Sequence, residues 1–376
     1  MRKTVLITIA VTGMLASAIG PAYALTVDPD IGVDMVNSNV YALAATPDGW
    51  MYIGGKFDEI KNSNGNNRCA ADELVRFDES SGTADCSWTP AMPGTYVKGL
   101  AVMGGFVYAG GDFGLVRVSE STGQVDSSFV VSVAHVNAVT AAPGGAGIYI
   151  GGSFNRVNGK PHHDIALVKT DGTVDNTFQG DLDGNVRHIR IGDGYLVPSG
   201  SFDTASGHFD QSIAELDETT GAPNASFAPA IPENPMQCFD TAPTPTIIYA
   251  ACGASHNFDA AFDATTGAKI WRNFLGGNGE SISLTTVGGN QVLFIGGHMG
   301  TRDPTTMPCG STYLHGIFKA DLNGNPDCSW DPHLVPDTHN YTGGWVQEVV
   351  NGHLWLGGRF STVDGVKHHG VARWTL

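Results

Sequence analysis

Positive charge is what this chain has least of. Its 376 residues carry 20 Lys and Arg against 37 Asp and Glu, a formal charge of −17. A surface this acidic repels phosphate backbones and anionic lipid, which argues against nucleic acid as a partner and leaves cations, neutral sugars and basic peptides. Helical periodicity is missing too, since beyond the N-terminal segment no stretch repeats its apolar residues at helical spacing. No G-x-S-x-G elbow, H-E-x-x-H pair or double C-x-x-C occurs after that segment, so the common signatures of serine and zinc hydrolases are absent.

Apolar runs of spanning length are missing after the N-terminus as well. The start itself reads as a secretory leader. Arg2 and Lys3 precede a mostly apolar run from Val5 to Ile19, and Ala22-Tyr23-Ala24 supplies a small-x-small cleavage site. The expected mature chain is residues 25–376, a single released domain with no membrane span and a formal charge of −19. Six cysteines, an even count, then point to disulfides formed in an extracellular or periplasmic setting.

What is abundant is glycine, at 50 residues, and it recurs in register. A hydrophobic pair followed by two small residues appears as "YIGGKF" at Tyr52, "YAGGDF" at Tyr108, "YIGGSF" at Tyr149 and "VPSGSF" at Val197. It continues as "YAACGA" at Tyr249, "FIGGHM" at Phe294 and "WLGGRF" at Trp355. The steps average about fifty residues, the range of propeller and kelch-like repeats. Around the third copy, period-two alternation between tight turns reads as four short strands: "VNAVTAA", "IYIGGSF", "DIALVKT" and "VDNTF". Seven such units without helices predict an all-β, seven-bladed β-propeller with four-stranded blades. The mature chain opens with "LTVDPDI", like a fourth strand, and ends with "GVARWTL", like a third. The N-terminal strand is therefore expected to complete the last blade and close the ring.

The run "YIGGSFNRVNG…IALVKTDGTVDNTF" resembles the Delta-60 repeat family of exported bacterial β-propellers. The resemblance covers nearly the whole mature chain. It is strongest in blades one, three, four and seven, whereas blade two lacks the middle loop and blade five departs most. It implies fold and export and carries no catalytic residue with it.

In such a fold alternate loops share a face. The first-to-second and third-to-fourth turns are minimal, whereas the second-to-third and inter-blade loops are long and varied, so function is expected on the long-loop face. The cysteines fit this layout as Cys69 with Cys86, Cys238 with Cys252 and Cys309 with Cys328, and rival pairings would require contacts between blades. His256, His315, His368 and His369 are candidate metal ligands for zinc or copper, with Asp303 and Asp337 able to complete a shell. A plain alternative is that repeats copy polar loop residues. Asp181 and Asp183 hint at calcium but lack the full EF-hand loop. Glu233, Glu280 and Asp303 are candidate acid–base carboxylates. His188 is expected on a first strand near the channel. Tyr313, Tyr341 and Trp345 are not repeated and are candidates for stacking on a glycan or peptide, with His163 and His339 beside them. The leading reading is a monomeric binding module for an extracellular glycan or protein. Its rivals are a metal-assisted hydrolase or lyase and a structural module of an extracellular assembly.

The leader and the cysteines yield a first test. Intact mass spectrometry of the secreted protein is expected to show loss of residues 1–24 and two hydrogens missing per bridge for three bridges. A retained leader or an alkylatable thiol would overturn the reading.

Overall fold

The repeated glycine pairs sit at the ends of strands that pack almost backbone to backbone. A computed structural model describes residues 25–28, 33–36, 39–62, 68–229, 231, 236–254, 257–298, 316–335 and 343–376. The described residues are strands and turns with one short 3-10 turn at Pro143–Gly145. Among them no helix is long and apolar enough to cross a membrane.

Seven antiparallel sheets share one plan. Their first strands are Asn39–Ala45, Val97–Met103, His135–Ala141, Asn185–Ile191, Met236–Pro243, Gly279–Val287 and Gly343–Val350. Each pairs with a second strand that carries the landmark, such as Trp50–Lys56 in the first sheet and His353–Arg359 in the seventh. A third strand follows, Leu74–Asp78 in the first sheet and Val371–Thr375 in the seventh. Successive first strands lie against one another in chain order, and the seventh lies against the first.

The core is built between neighbouring sheets. Tyr52 and Leu74 of the first sheet are buried with Val97, Leu100 and Val107 of the second. Val346, Trp355 and Val371 of the seventh are buried with Val40, Met51 and Phe77 of the first. Each such aliphatic or aromatic side chain contributes about 1.5–3 kcal/mol by leaving water. The glycine pair sets the spacing. A side chain at Gly54 would strike Val97 of the next sheet, and one at Gly55 would strike the Asn39 carbonyl of its own first strand. Gly357 meets Val40 in the same way across the junction of the last and first sheets.

The expectation of four-stranded units needs correction. Among the described residues, a fourth strand of more than one residue forms only in the first sheet, Thr83–Ala84, and the fifth, Lys269–Phe274. Elsewhere it shrinks to single bridges, such as Val118 with Val125 and Val168 with Val174. The residue that follows keeps the ladder short. Asp126 turns its carboxylate onto the Ser128 backbone N–H and hydroxyl, and Asp175 does the same with Thr177, so the chain curls away from the ladder. In the first sheet Asp85 makes the same bonds to Ser87 after two paired residues.

That aspartate also anchors the third strand. Arg76 donates to Asp85 at 2.6 Å and Arg117 to Asp126 at 2.6 Å, and Lys319 holds Asp327 at 2.8 Å. The Ser128 hydroxyl and the Arg117 guanidinium hold the Asp126 carboxyl down at about 2. Arg76 then reaches the Glu120 carbonyl and Arg117 the Thr170 carbonyl, each in the next sheet. Residues 27 and 28 enter this scheme at the seventh sheet. Val27 bridges Trp374, Asp28 takes the aspartate's place against Arg373, and Arg373 donates onward to the Glu79 carbonyl of the first sheet.

Two cysteine pairs are as expected, Cys69 with Cys86 and Cys238 with Cys252. Cys69, however, lies on a side strand, Arg68–Ala70, and not on the third strand of its sheet. It pairs there with Ile60, in an excursion that also takes in Val33–Val36. Cys328 is disulfide-bonded, and its expected partner Cys309 lies outside the described residues.

Arg373 is 3% exposed and Asp28 is 17% exposed, so removing the carboxylate strands a buried cation. Asp28→Ala is expected to lower stability by about 3 kcal/mol in a denaturant melt, with part of the loss recovered in an Asp28→Ala, Arg373→Met double variant. A single variant as stable as the parent would show that this junction holds nothing together.

Candidate functional site

Each of the seven first strands has one irregularity, at the same place. The pairing register slips between Val40 and Ala42, Val97 and Gly99, Val136 and Ala138, and Val186 and His188. It slips likewise between Cys238 and Asp240, Gly279 and Ser281, and Gly344 and Val346. These are β-bulges, in which one residue is left out of the ladder and its side chain is re-aimed. The residues so released are Tyr41, Lys98, Asn137, Arg187, Phe239, Glu280 and Trp345. The residue before each is buried, and each released residue is half-buried. All seven line one cavity of roughly 350 Å³, together with His188, Gln237, Asn278 and His298.

The bulges lie at the start of the first strands, the end reached by the inter-blade loops and by the close of the second strands. The cavity is thus on the face expected to carry function. One wall is aromatic. Tyr41 and Trp345 stack with centroids 5.5 Å apart and planes 8° from parallel, and His298 meets Trp345 edge-on at 5.4 Å. Glu280 is held by His298 at 3.0 Å. Arg187 lies over the Phe239 ring at 5.5 Å and donates to Gln237 at 3.4 Å. The Lys98 ammonium is 5.8 Å from the Tyr41 ring and 5.3 Å from Tyr96. Burial pushes the Lys98 amine below its ordinary range, and the charge of Arg187 adds to this against the pull of Glu280. Burial likewise lowers Arg187 and raises Tyr41.

Below this ring the space narrows to about 60 Å³ among Leu43, Leu100, Val139 and Val346, with His188, Arg190 and Glu348 also on its wall. Arg190 grips the fully buried Asp240 with two bonds of 2.8 and 2.7 Å. Burial opposes the Asp240 charge, but Arg190 and His188 outweigh it and hold the carboxyl below its ordinary range. Burial pushes His188 below the ordinary histidine range, although Asp240 lies 3.6 Å away. Its side chain still keeps 25% of its surface open to the channel.

The sequence candidates fall out as follows. Trp345, Glu280 and His188 line the cavity. His163 does not. It pairs with Asp181 at 2.7 Å in a separate exposed recess. Asp183 caps the backbone of Asp203 and Thr204, so it closes a turn. His368 is fully buried in the seventh sheet, with His369 half-buried beside it. Tyr313, Tyr341, His339, His256, His315, Glu233, Asp303 and Asp337 lie outside the described residues. Among the described residues no three His, Cys, Asp or Glu side chains gather as a metal site.

Sequence reasoning passed over Tyr41, Lys98, Asn137, Arg187 and Phe239. The available signal was a large or polar residue inside an otherwise small and apolar strand, directly after the buried residue that opens the first strand's apolar run. Val40-Tyr41-Ala42, Val97-Lys98-Gly99 and Val136-Asn137-Ala138 show it.

Residues 148–178 match the model of a family described as "Domain of unknown function (DUF5122) beta-propeller". The matched segment runs from the second strand of the third sheet to the buried Phe178, part of a single repeat. No curated protein matches the chain.

The chemistry of the cavity floor can be tested directly. His188 is expected to stay neutral at pH 7 and to titrate below 6.5, read from its imidazole resonances by NMR. Titration at or above that value would show that Asp240, and not burial, governs the ring.

Proposed function

We propose that the protein is an extracellular, disulfide-bonded, seven-bladed β-propeller of the Delta-60 type. Residues 25–376 form one domain, and the N-terminal strand closes the ring. Its role is to bind an extracellular glycan or protein at the central cavity of the long-loop face. The family match over part of one repeat and the common plan of the seven sheets support the fold. One observation carries the binding reading: seven bulges at one structural level bring seven different side chains to a single cavity. A packing device would repeat one residue type, as the second-strand glycines do. A cavity of this size holds one or two sugar rings or a peptide end, and an aromatic wall with amides around it is the usual composition of such pockets.

The second reading is a hydrolase or lyase. The Glu280–His298 pair favours it, since a carboxylate and an imidazole 3.0 Å apart can share acid and base duties. A metal held by the long-loop histidines, His368 and His369 included, belongs to that reading. A purely structural module would leave the seven bulge positions without a use.

A glycan array probed with the intact protein and three variants tests the proposal. Trp345→Ala and Tyr41→Ala are expected to weaken binding at least tenfold, and His163→Ala to leave it unchanged, with folding checked by thermal melts. Loss confined to His163→Ala would move the site to the outer recess. Stoichiometric zinc, copper or calcium in the chelator-free protein, together with turnover of a bound glycan, would promote the enzyme.

A further inference from the structure

The cavity's charge runs against the charge of the molecule. The chain carries −17 overall and has only 20 Lys and Arg, yet two of the seven bulge positions are Lys98 and Arg187. Elsewhere the third-strand cations are spent on aspartates, as Arg76 is on Asp85 and Arg117 on Asp126. Lys98 and Arg187 are not. Neither makes an ion pair with a described carboxylate, and each is half-buried. The one carboxylate at their level, Glu280, is taken up by His298 at 3.0 Å.

Holding two cations partly out of water with one carboxylate, Glu280, between them and His298 leaves positive charge uncompensated, which costs stability. A ligand that brings the counter-charge recovers it. The rest of the wall limits what the ligand is. Tyr41 and Trp345 give the cavity an aromatic wall suited to the C–H groups of a sugar ring. Asn137, Gln237 and Asn278 add amides to the wall, of which Asn137 donates to Asn185 and Gln237 accepts from Arg187 while keeping its NH2 for a hydroxyl. A bare inorganic anion would use the cations and leave the aromatic wall idle. A neutral sugar would use the wall and leave the cations unpaired. A long polyanion would be repelled by the net negative charge of the chain, which favours a short bound unit.

We propose that the central cavity binds a uronate, a sugar ring bearing a carboxylate, with Lys98 and Arg187 on the carboxylate and the aromatic wall of Tyr41 and Trp345 against the ring. The proposal rests on the binding reading above and narrows it to one ligand class. Free uronic acids and the ends of acidic polysaccharides share this chemistry.

The test is calorimetric titration of the intact protein with glucuronate, galacturonate and mannuronate, as monosaccharides and as short oligosaccharides. The matching neutral hexoses and inorganic phosphate are the comparison probes. At least one uronate is expected to bind at least tenfold more tightly than its neutral hexose and than phosphate. Lys98→Gln and Arg187→Gln are expected to weaken the uronate about tenfold each and the neutral sugar by a clearly smaller factor, with Lys98→Arg restoring most of the uronate loss. Trp345→Ala is expected to weaken acidic and neutral sugars alike. Tighter binding by the oligosaccharide than by the monosaccharide would identify a chain end as the source. Equal binding of hexose and uronate, still dependent on Trp345, would overturn the uronate and leave the cavity as a sugar site. Phosphate binding as tightly as uronate would overturn the sugar component. No binding by any uronate, with wild-type melting temperatures throughout, would overturn the proposal outright.

Discussion

The close approach of the second strand's glycine pair to its neighbours is the constraint on which the other features depend. One glycine lets the next sheet's first strand come in until Val97 touches where a Cβ would be. The other lets the same sheet's first strand buckle over it. That buckle is the bulge, so the contact that sets the distance between sheets also turns a side chain into the cavity. In the fifth sheet Cys252 replaces the second glycine, and the buckle is kept by a covalent link. Cys252 lies opposite Cys238, the residue just before Phe239, and the two are bonded. A short cross-strand bridge there contributes on the order of 2–4 kcal/mol.

The outer edges are governed by charge. Third-strand cations hold the aspartate of their own sheet and donate to a carbonyl of the next, and Arg373 repeats the pattern with the N-terminal Asp28 and Glu79. Apolar packing near the centre and charge-assisted bonds at the rim therefore act on the same junctions from two sides. His353 and Trp355 add to the last junction by donating to Glu79, which is 3% exposed. Residues 27–28 and the last strand are thus tied into the junction between the last and first sheets.

Much of the scaffold was legible in the sequence because its causes are local. A glycine pair is needed wherever backbones touch, and it recurs at each touch. The fourth strands were over-read. Their Val-Asp-x-Thr-Phe pattern has strand composition, but the aspartate's hydrogen bonds to the Ser or Thr two residues on keep the ladder short. The site was harder to read for the opposite reason. Repetition marks scaffold, and the cavity residues are the ones that do not repeat. Lys98 and Arg187 stand out in the chain only as polar residues within short apolar strands, and that pattern by itself does not show that a bulge turns them inward. Trp345 was singled out as an unrepeated aromatic, the property it shares with Tyr41 and Phe239.

A bulged residue has no partner in the ladder, so exchanging it shifts no register and opens no seam between sheets. Each of the seven positions therefore behaves as a separate letter in a fixed frame. Duplicating a repeat copies the frame together with its letter, and later point changes rewrite the letter alone. A molecule built this way can acquire a new ligand by a few substitutions without passing through an unstable intermediate. Recognition and folding are inherited on different residues of the same strand.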